Sequence, residues 1–394
     1  MNQRQLFLRH VAQTSPTPLA LEIVASEGMY LYDKEGKAYL DLIAGIGVSA
    51  LGHRHPRVVQ AAKEQLDRYL HTLVYGEFIL SPQVELAKRL ADQLPSPLDS
   101  TYFVNSGSEA TEGAMKLAKR YTGRSEIIAS KKAYHGSTQG AASLMWPKEF
   151  TQAFHPLLPG IRHIEFNCDF CLQQITEQTA AVILETVQGE WGVRPPHGDY
   201  LKKVRKRCTE VGALLILDEI QAGFGRTGSL FAFQQYDVVP DILLLAKGMG
   251  GGMPIGAFIS SKEIMQSLSH DPILGHITTF GGHPVSCAAS KATLEELLES
   301  SLIEQVPKKA ALFRQLLQHP EIIEIRNAGL LMAVQMKSFD FIQAVIQNCL
   351  KRGLITDWFL FNSEALRIAP PLIITEEEIH QACEIILASI EESI

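Results

Sequence analysis

The chain has 394 residues, of which 46% are hydrophobic and 20% are charged. These fractions are typical of a globular protein and exclude a collagen-like, coiled-coil or disordered chain. The 36 basic and 43 acidic residues give a formal net charge of −7, which offers no basic surface for nucleic acid or an anionic membrane. The length predicts more than one structural unit.

Neither a leader nor a membrane span is predicted. Residues Met1 to His10 are polar, and no run of about 18 apolar residues occurs. Six scattered cysteines are typical of a reduced, cytoplasmic protein. Cys168 and Cys171 form a C-x-x-C pair; we interpret it as a coincidence rather than a redox or zinc site, because no second pair lies at ligand spacing.

Strands and helices alternate through the middle of the chain. Two short strands come first, at Tyr30–Tyr32 and Ala38–Leu42. The later predicted strands are Thr101–Val104, Ile127–Ala129, Ala181–Glu185, Ala213–Asp218, Ile242–Ala246 and Ala257–Ser260, with helices at Ser108–Tyr121 and Tyr200–Val211. Several of these strands are apolar throughout, which predicts burial on both faces of a mostly parallel sheet. The alternation favours an α/β doubly wound core.

The C-terminal part mixes both element types. A helix is predicted from Pro284 to about Glu299. Further predictions are strands at Gly329–Met336 and Ala365–Ile368 and helices at Phe339–Arg352 and Glu376–Glu391. We expect a large α/β domain over residues 51–284 and a smaller α+β domain built from residues 1–50 and 285–394.

Polar residues follow three of the predicted strands, where α/β folds bind ligands. Ser106, Gly107 and Ser108 open a helix, so they form either an anion site or an ordinary N-cap. Asp218 ends an apolar strand, where a carboxylate needs a cationic or hydrogen-bonding partner. A P-loop ATPase also carries such an acid, but this chain has no G-x-x-x-x-G-K-[ST] segment.

Lys247 follows a third apolar strand and precedes a glycine-rich loop. Burial there would make its amine nucleophilic, although a lysine that reaches the surface is an equally simple interpretation. Thr278 and Thr279 precede two glycines and form a possible phosphate clamp, and Tyr134 is either a ring-stacking or a packing residue.

These pieces share one logical ligand, pyridoxal 5'-phosphate. The lysine condenses with its aldehyde, the strand-end aspartate faces its pyridine nitrogen, the serines and glycine hold its phosphate, and the tyrosine covers its ring.

At this point the sequence resembles the class III pyridoxal-phosphate aminotransferases, and is similar to the acetylornithine and ornithine enzymes. The matching segments are Tyr39–Asp41, Gly45–Val48, Leu51–Pro56, Asn105–Ala110, Glu185–Glu190, Asp218–Gly228, Lys247 and Leu366–Pro371. The resemblance implies a fold-type I transferase that acts as a homodimer with shared active sites.

The resemblance also implies roles for individual residues. Lys247 bonds the cofactor aldehyde and moves the substrate proton; Asp218 pairs with the ring nitrogen, Gln221 binds the ring hydroxyl, and Thr279 reaches the neighbouring subunit's phosphate site. Arg367 clamps the substrate carboxylate, because a guanidinium binds a carboxylate through two hydrogen bonds. Glu190 pairs with Arg367 while an ω-amino donor is bound and releases it for a keto acid.

Four positions depart from the family pattern. Ser137 stands where an arginine usually binds a second carboxylate, Ile46 where some ornithine enzymes carry a tyrosine, and His283 where an asparagine is usual. Arg326–Gly329 replaces a glycine-rich segment and is expected to form a turn.

We therefore predict a transaminase that moves the amino group of an ω-amine or ω-amino acid, acetylornithine- or ornithine-like, to a keto acid such as 2-oxoglutarate. The alternative is an aminomutase or epimerase built on the same cofactor frame.

Overall fold

The computed structural model describes residues 1–394. Its fifteen β-strands are β1 Ile23–Glu27, β2 Tyr30–Asp33, β3 Ala38–Asp41, β4 Ser100–Val104, β5 Glu126–Ser130, β6 Ile161–Ile164, β7 Thr179–Glu185, β8 Leu214–Asp218, β9 Ile242–Leu245, β10 Gly256–Ser260, β11 Glu324–Ala328, β12 Leu331–Gln335, β13 Leu354–Ile355, β14 Trp358–Phe359 and β15 Asn362–Ile368.

Twelve α-helices connect and cover these strands. They are α1 Gln3–His10, α2 Ala44–Gly47, α3 Pro56–Arg68, α4 Ser81–Ala91, α5 Gly107–Thr122, α6 Gln139–Ser143, α7 Tyr200–Val211, α8 Lys262–Gln266, α9 Pro284–Glu299, α10 Leu302–Leu316, α11 Phe339–Lys351 and α12 Glu376–Glu391. No helix is both long and apolar enough to cross a bilayer.

A seven-stranded sheet with the order β4-β10-β9-β8-β7-β5-β6 forms the centre of the fold. All its strands run parallel except β10, which is antiparallel to both of its neighbours. The predicted mostly parallel α/β sheet is therefore confirmed, with one reversed strand.

Burial on both faces explains why these strands are apolar throughout. Along β7, Val182 and Leu184 join the largest apolar cluster, whereas Ala181 and Ile183 join a second cluster on the other face. Successive side chains of a strand point to opposite faces, so a strand covered on both sides has no polar position to expose. The helix α5 packs on one of these faces, against β9 and β10.

Two four-stranded sheets flank the central one. In the first, with the order β1-β2-β3-β13, the C-terminal strand β13 runs parallel to the N-terminal strand β3, pairing Leu354 with Leu40. In the second, β12 and β14 both pair antiparallel with β15. The two chain ends thus share one sheet. The division into a large domain and a smaller domain, with boundaries at residues 50 and 285, stays a prediction.

The segment before β12 differs from the sequence prediction. Arg326, Asn327 and Ala328 belong to β11 rather than to a turn, and the expected strand at Gly329 begins only at Leu331. Gly329 instead forms the hairpin turn with a φ of 57°, a conformation that favours glycine. The strand was missed because its charged and amide side chains hide the alternating pattern.

The C-x-x-C pair is a disulfide, so its interpretation as a coincidence is wrong. Cys168 and Cys171 are bonded, and the Cys171 amide also donates to the Cys168 sulfur at 3.2 Å. The Cys171 amide also donates to the Cys168 carbonyl at 3.1 Å, which closes a turn that brings these two residues together at the start of a short 3₁₀ helix over Phe170–Gln174. The other four cysteines are free and buried.

Candidate active site

One cavity of about 410 Å³ opens at the carboxyl ends of the central strands. Asn105, Glu185, Asp218 and Lys247 lie at or just after the ends of β4, β7, β8 and β9, so the parallel strands bring them to one edge. The lining residues are Val48, Asn105, Ser106, Gly107, Ser108, Tyr134, His135, Gly136, Glu185, Val187, Asp218, Ile220, Gln221, Ala222, Ala246, Lys247, Gly252, Met253, Pro254 and Ile255.

The N-terminus of helix α5 forms one end of the cavity. Ser106 is the N-cap, and its hydroxyl accepts from the Glu109 amide at 3.2 Å. The loop at Gly136 closes against this helix, since a Cβ there would lie 2.2 Å from the Ser108 hydroxyl. Ser106 is therefore the N-cap that the sequence allowed. The anion site at the first-turn N–H groups stays a prediction.

Asp218 is held by two hydrogen bonds on the cavity wall, with only 3% of the residue exposed. Its Oδ1 accepts from the Ile220 amide at 2.9 Å, and its Oδ2 lies 2.7 Å from Nδ1 of the buried His135. These partners orient the carboxylate. The sequence interpretation did not assign His135 a role, because its partner Asp218 lies 83 residues further along the chain.

Lys247 lines the same cavity as Asp218. Its Nζ makes no hydrogen bond or ion pair within the chain, and burial lowers its pKa. The backbone φ of Lys247 is 46°, which is unusual for a residue other than glycine and occurs where a site holds a side chain under strain. This lysine faces the cavity and does not reach the outer surface of the protein.

Tyr134 and Glu185 also line the cavity and contact each other. The Tyr134 amide donates to Glu185 Oε1 at 2.9 Å, and the Gly189 amide donates to Oε2 at 2.7 Å. Burial raises the pKa of Glu185 to about 7. The sequence interpretation included Glu185 only as part of a matching segment, because an isolated acid before a loop gives no further signal.

Glu190 and Arg367 form a buried ion pair beside the cavity. Arg367 Nη1 and Nη2 donate to the two oxygens of Glu190 at 2.8 and 3.0 Å. Gln221, which lines the cavity, donates to Glu190 at 3.3 Å and so links the pair to the cavity wall. Burial alone would raise the pKa of Glu190, but the Arg367 charge outweighs it and lowers that pKa.

Besides Glu190 and Arg367, four predicted site residues lie outside the cavity lining. Thr278 accepts from the Asn105 side chain at 3.1 Å and therefore sits next to the cavity. Thr279 is exposed, and Ile46 is half-buried. Ser137 is exposed too, with its hydroxyl 2.9 Å from the Tyr134 hydroxyl.

The arrangement suits a flat ligand with three different ends. A helix N-terminus meets an anion, a carboxylate meets a ring cation, and a free lysine amine meets a carbonyl group. No single one of these features is specific, but the cavity brings all three within one small volume.

Comparison with known proteins identifies the family to which the chain is similar. Residues 11–390 match the family described as aminotransferase class III. The chain is 41% identical over 388 residues to an acetylornithine aminotransferase of Methanopyrus kandleri, covering 97% of both chains. It is 42% identical over 377 residues to a putrescine aminotransferase of Pectobacterium atrosepticum, covering 91% of this chain and 80% of the relative.

Among solved structures, the fold is similar to that of an ornithine aminotransferase from Toxoplasma gondii that has partial occupancy of PLP at its active site. The TM-score is 0.91 at 31% identity, with 98% of this chain and 93% of that chain covered.

Proposed function

The chain belongs to the class III aminotransferases, and from that premise we propose that it moves the terminal amino group of an acetylornithine- or ornithine-like donor to a keto acid such as 2-oxoglutarate. The family match and the relatives confirm the resemblance recognised in the sequence, the fold-type I architecture and the assignment as a transaminase. The donor, the acceptor and the role of each site residue belong to the proposal.

The proposed cofactor is pyridoxal 5'-phosphate, and the residues present fit it. The phosphate would lie at Ser106, Gly107 and Ser108, while Asp218 and Gln221 would meet the ring nitrogen and the ring hydroxyl. Tyr134 would cover the ring face. When bound, this group supplies an aldehyde that condenses with amines and a protonated ring that withdraws electrons from the substrate carbon.

Lys247 and Asp218 supply the chemistry of the chain itself. The lysine offers a neutral amine at its Nζ, because the surrounding protein disfavours its charged form. That Nζ then takes a proton from the substrate carbon and returns it as a general acid. Asp218, oriented by His135 and the Ile220 amide, would place its carboxylate against the ring nitrogen.

The Glu190–Arg367 pair supports two substrates that enter in turn. While the ion pair is formed, Glu190 occupies the Nη1 and Nη2 groups of Arg367. A donor that has no carboxylate near its reacting amine can then bind. Release of Glu190 exposes the Nη1 and Nη2 groups, which then bind the α-carboxylate of a keto acid through two hydrogen bonds. This gate speaks against the aminomutase or epimerase alternative, which needs no separate keto acid.

The observation that carries the proposal is that Lys247 and Asp218 line the same cavity as the α5 N-terminus. The test is to load the protein with pyridoxal phosphate and assay putrescine, ornithine and N-acetylornithine with 2-oxoglutarate and pyruvate. Keto acid should be consumed in step with the amine. If product forms without any keto acid, the isomerase alternative replaces this proposal.

Ser137 is proposed to let donors without a carboxylate, such as putrescine, compete with acetylornithine-like donors, because no arginine stands at this position to bind the donor carboxylate. Ser137→Arg should raise kcat/KM for N-acetylornithine relative to putrescine by about 10-fold, because a charged hydrogen bond contributes about 1.5–3 kcal/mol. Steady-state kinetics with both donors measure this ratio. Thr138→Arg places the same charge at the next exposed residue and should leave the ratio unchanged. An unchanged ratio in Ser137→Arg would remove this residue from the specificity argument.

We also propose a homodimer with shared active sites. An exposed apolar group supports it: Phe78, Ile79, Ile277 and Phe280 are 56%, 93%, 51% and 54% exposed, and Thr279 lies between the last two. Such surfaces usually mark an interface.

If Thr279 reaches the partner's phosphate site, Thr279→Ala should weaken cofactor binding about 10-fold, from the loss of one charged hydrogen bond. Fluorescence titration measures this affinity. Mixed dimers of Thr279→Ala and Lys247→Ala should regain tight binding at the site that combines Lys247 with a partner threonine. Failure of the mixed dimer to regain it would place Thr279 outside the shared site.

Cytoplasmic location is the remaining proposal. It rests on four of the six cysteines being free and buried, a pattern typical of a reducing compartment, to which the Cys168–Cys171 disulfide is the exception. Cell fractionation tests it directly.

A further inference from the structure

Arg367 has a second carboxylate partner, Asp357, which the sequence interpretation did not identify. Arg367 Nε donates to Asp357 Oδ1 at 2.8 Å, and 4% of the Arg367 side chain is exposed. One guanidinium therefore lies between two acidic side chains. With Glu190 closed, the three groups carry a formal charge of −1.

The two acids occupy different edges of the guanidinium. Glu190 takes Nη1 and Nη2, the edge to which a substrate carboxylate would bind. The Asp357 carboxylate accepts a hydrogen bond only from the Nε group of Arg367, and its second oxygen makes no hydrogen bond within the chain. A substrate can therefore displace Glu190 without disturbing Asp357.

The two acids also differ in how they are attached to the fold. Asp357 immediately precedes β14, which pairs with the strand β15 that carries Arg367, and the Arg367 amide donates to the Asp357 carbonyl at 2.8 Å. The Trp358 carbonyl accepts from Nη2 at 3.0 Å, and the Phe359 ring lies 4.5 Å from the guanidinium carbon. Asp357 thus belongs to the same hairpin as Arg367. Glu190 lies on the loop after β7 and, apart from its ion pair with Arg367, reaches this hairpin only through hydrogen bonds from the Leu360 and Phe361 amides.

We propose that Asp357 is a positioning residue that keeps the Arg367 guanidinium aimed at the substrate during the keto-acid half-reaction, when Glu190 has left. This inference rests on the proposed function. In the donor half-reaction Glu190 still holds Nη1 and Nη2, so the orientation of Arg367 depends much less on Asp357. The two half-reactions should therefore respond differently to its loss.

Asp357→Ala should raise KM for the keto acid by about 10- to 100-fold, the loss expected for one charged hydrogen bond. KM for the amine donor should change by less than about threefold. Asp357→Ser, a second truncation, should show the same split. Steady-state kinetics with both substrates varied, together with thermal unfolding of each holoenzyme, measure these effects.

Asp357→Asn separates geometry from charge. The asparagine amide oxygen can still accept a hydrogen bond from Arg367 Nε. Removal of the Asp357 charge should change the attraction of Arg367 for Glu190 and for the substrate carboxylate that replaces Glu190 by the same amount. Both KM values should therefore stay within about threefold of wild type. Glu364→Ala removes an exposed carboxylate from the same strand β15, without contact to Arg367, and should change neither KM.

Two results would overturn the role of Asp357. In one, Asp357→Ala raises both KM values equally, as expected of a merely structural residue; in the other, the keto-acid KM does not change. If the wild type is active and Asp357→Ala gives either of these results, only the role of Asp357 is contradicted. A wild type that transfers no amino group with any donor contradicts the proposed function as well.

Discussion

Replacement of Lys247 with alanine is expected to lower kcat by about 10⁴-fold, because the variant loses both the amine that bonds the cofactor and the proton carrier. Lys247 is the only lysine on the cavity wall, and no other group there can take both roles. Single-turnover kinetics with a good donor measure the loss. In the loaded wild type, borohydride should fix the cofactor on the peptide that contains Lys247, and mass spectrometry should find no such adduct in the variant.

Lys309 provides a matched control. It is 6% exposed, its Nζ donates to the Leu372 carbonyl at 2.6 Å, and burial lowers its pKa as well, yet it lies outside the cavity. Lys309→Met should lower the unfolding temperature and leave kcat per folded molecule within about threefold of wild type. If Lys247→Ala keeps about a tenth or more of the wild-type kcat, the catalytic role proposed for Lys247 is contradicted.

Asp218→Asn is expected to lower kcat by about 10²- to 10³-fold, the range seen when one preorganised electrostatic group is removed. The asparagine keeps the size of the side chain and can still accept from the Ile220 amide. It has no negative charge to hold the ring nitrogen protonated. Its NH₂ group, which cannot accept a hydrogen bond, would take the position of Oδ2 that faces His135 Nδ1. Half-reaction kinetics and the absorption spectrum of the loaded variant measure the change.

The neighbouring Glu219 is the control for the loss of a buried carboxylate. Its oxygens accept from the Thr186 hydroxyl and from the Ala232 and Phe233 amides, away from the cavity, and burial raises its pKa to about 7. Glu219→Gln should lower stability by about 1–3 kcal/mol and leave kcat within about threefold. If Asp218→Asn also lowers only the stability and leaves kcat nearly unchanged, as expected for Glu219→Gln, then Asp218 has a structural role only.

The strands of the central sheet could be predicted because burial on both faces leaves its mark in the sequence. The expected strands Ala181–Glu185 and Ala213–Asp218 lie within two residues of β7 and β8. Asp218 and Lys247 stood out for the same reason, since a polar residue at the end of an apolar run interrupts a clear pattern. The pattern was weaker at β11, whose charged side chains resemble those of a turn.

Asp357 and His135 could not be assigned from the sequence. Asp357 lies between two strands of only two residues each, and nothing near it in the chain predicts that β14 pairs with β15. His135 lies 83 residues before its partner Asp218. Their roles depend on contacts between distant segments, for which a single sequence carries no periodic signal.

The amino-acid sequence alone determined the α/β core and the transaminase family, and it singled out the lysine and the aspartate to which the proposed chemistry is assigned. Local patterns report burial and strand ends, and these properties belong to short segments. The tertiary structure decided which partners surround those residues: the histidine behind Asp218, the two acids on Arg367 and the disulfide at Cys168. Such partners meet only when strands pair and loops close, so their identity is a property of the folded chain.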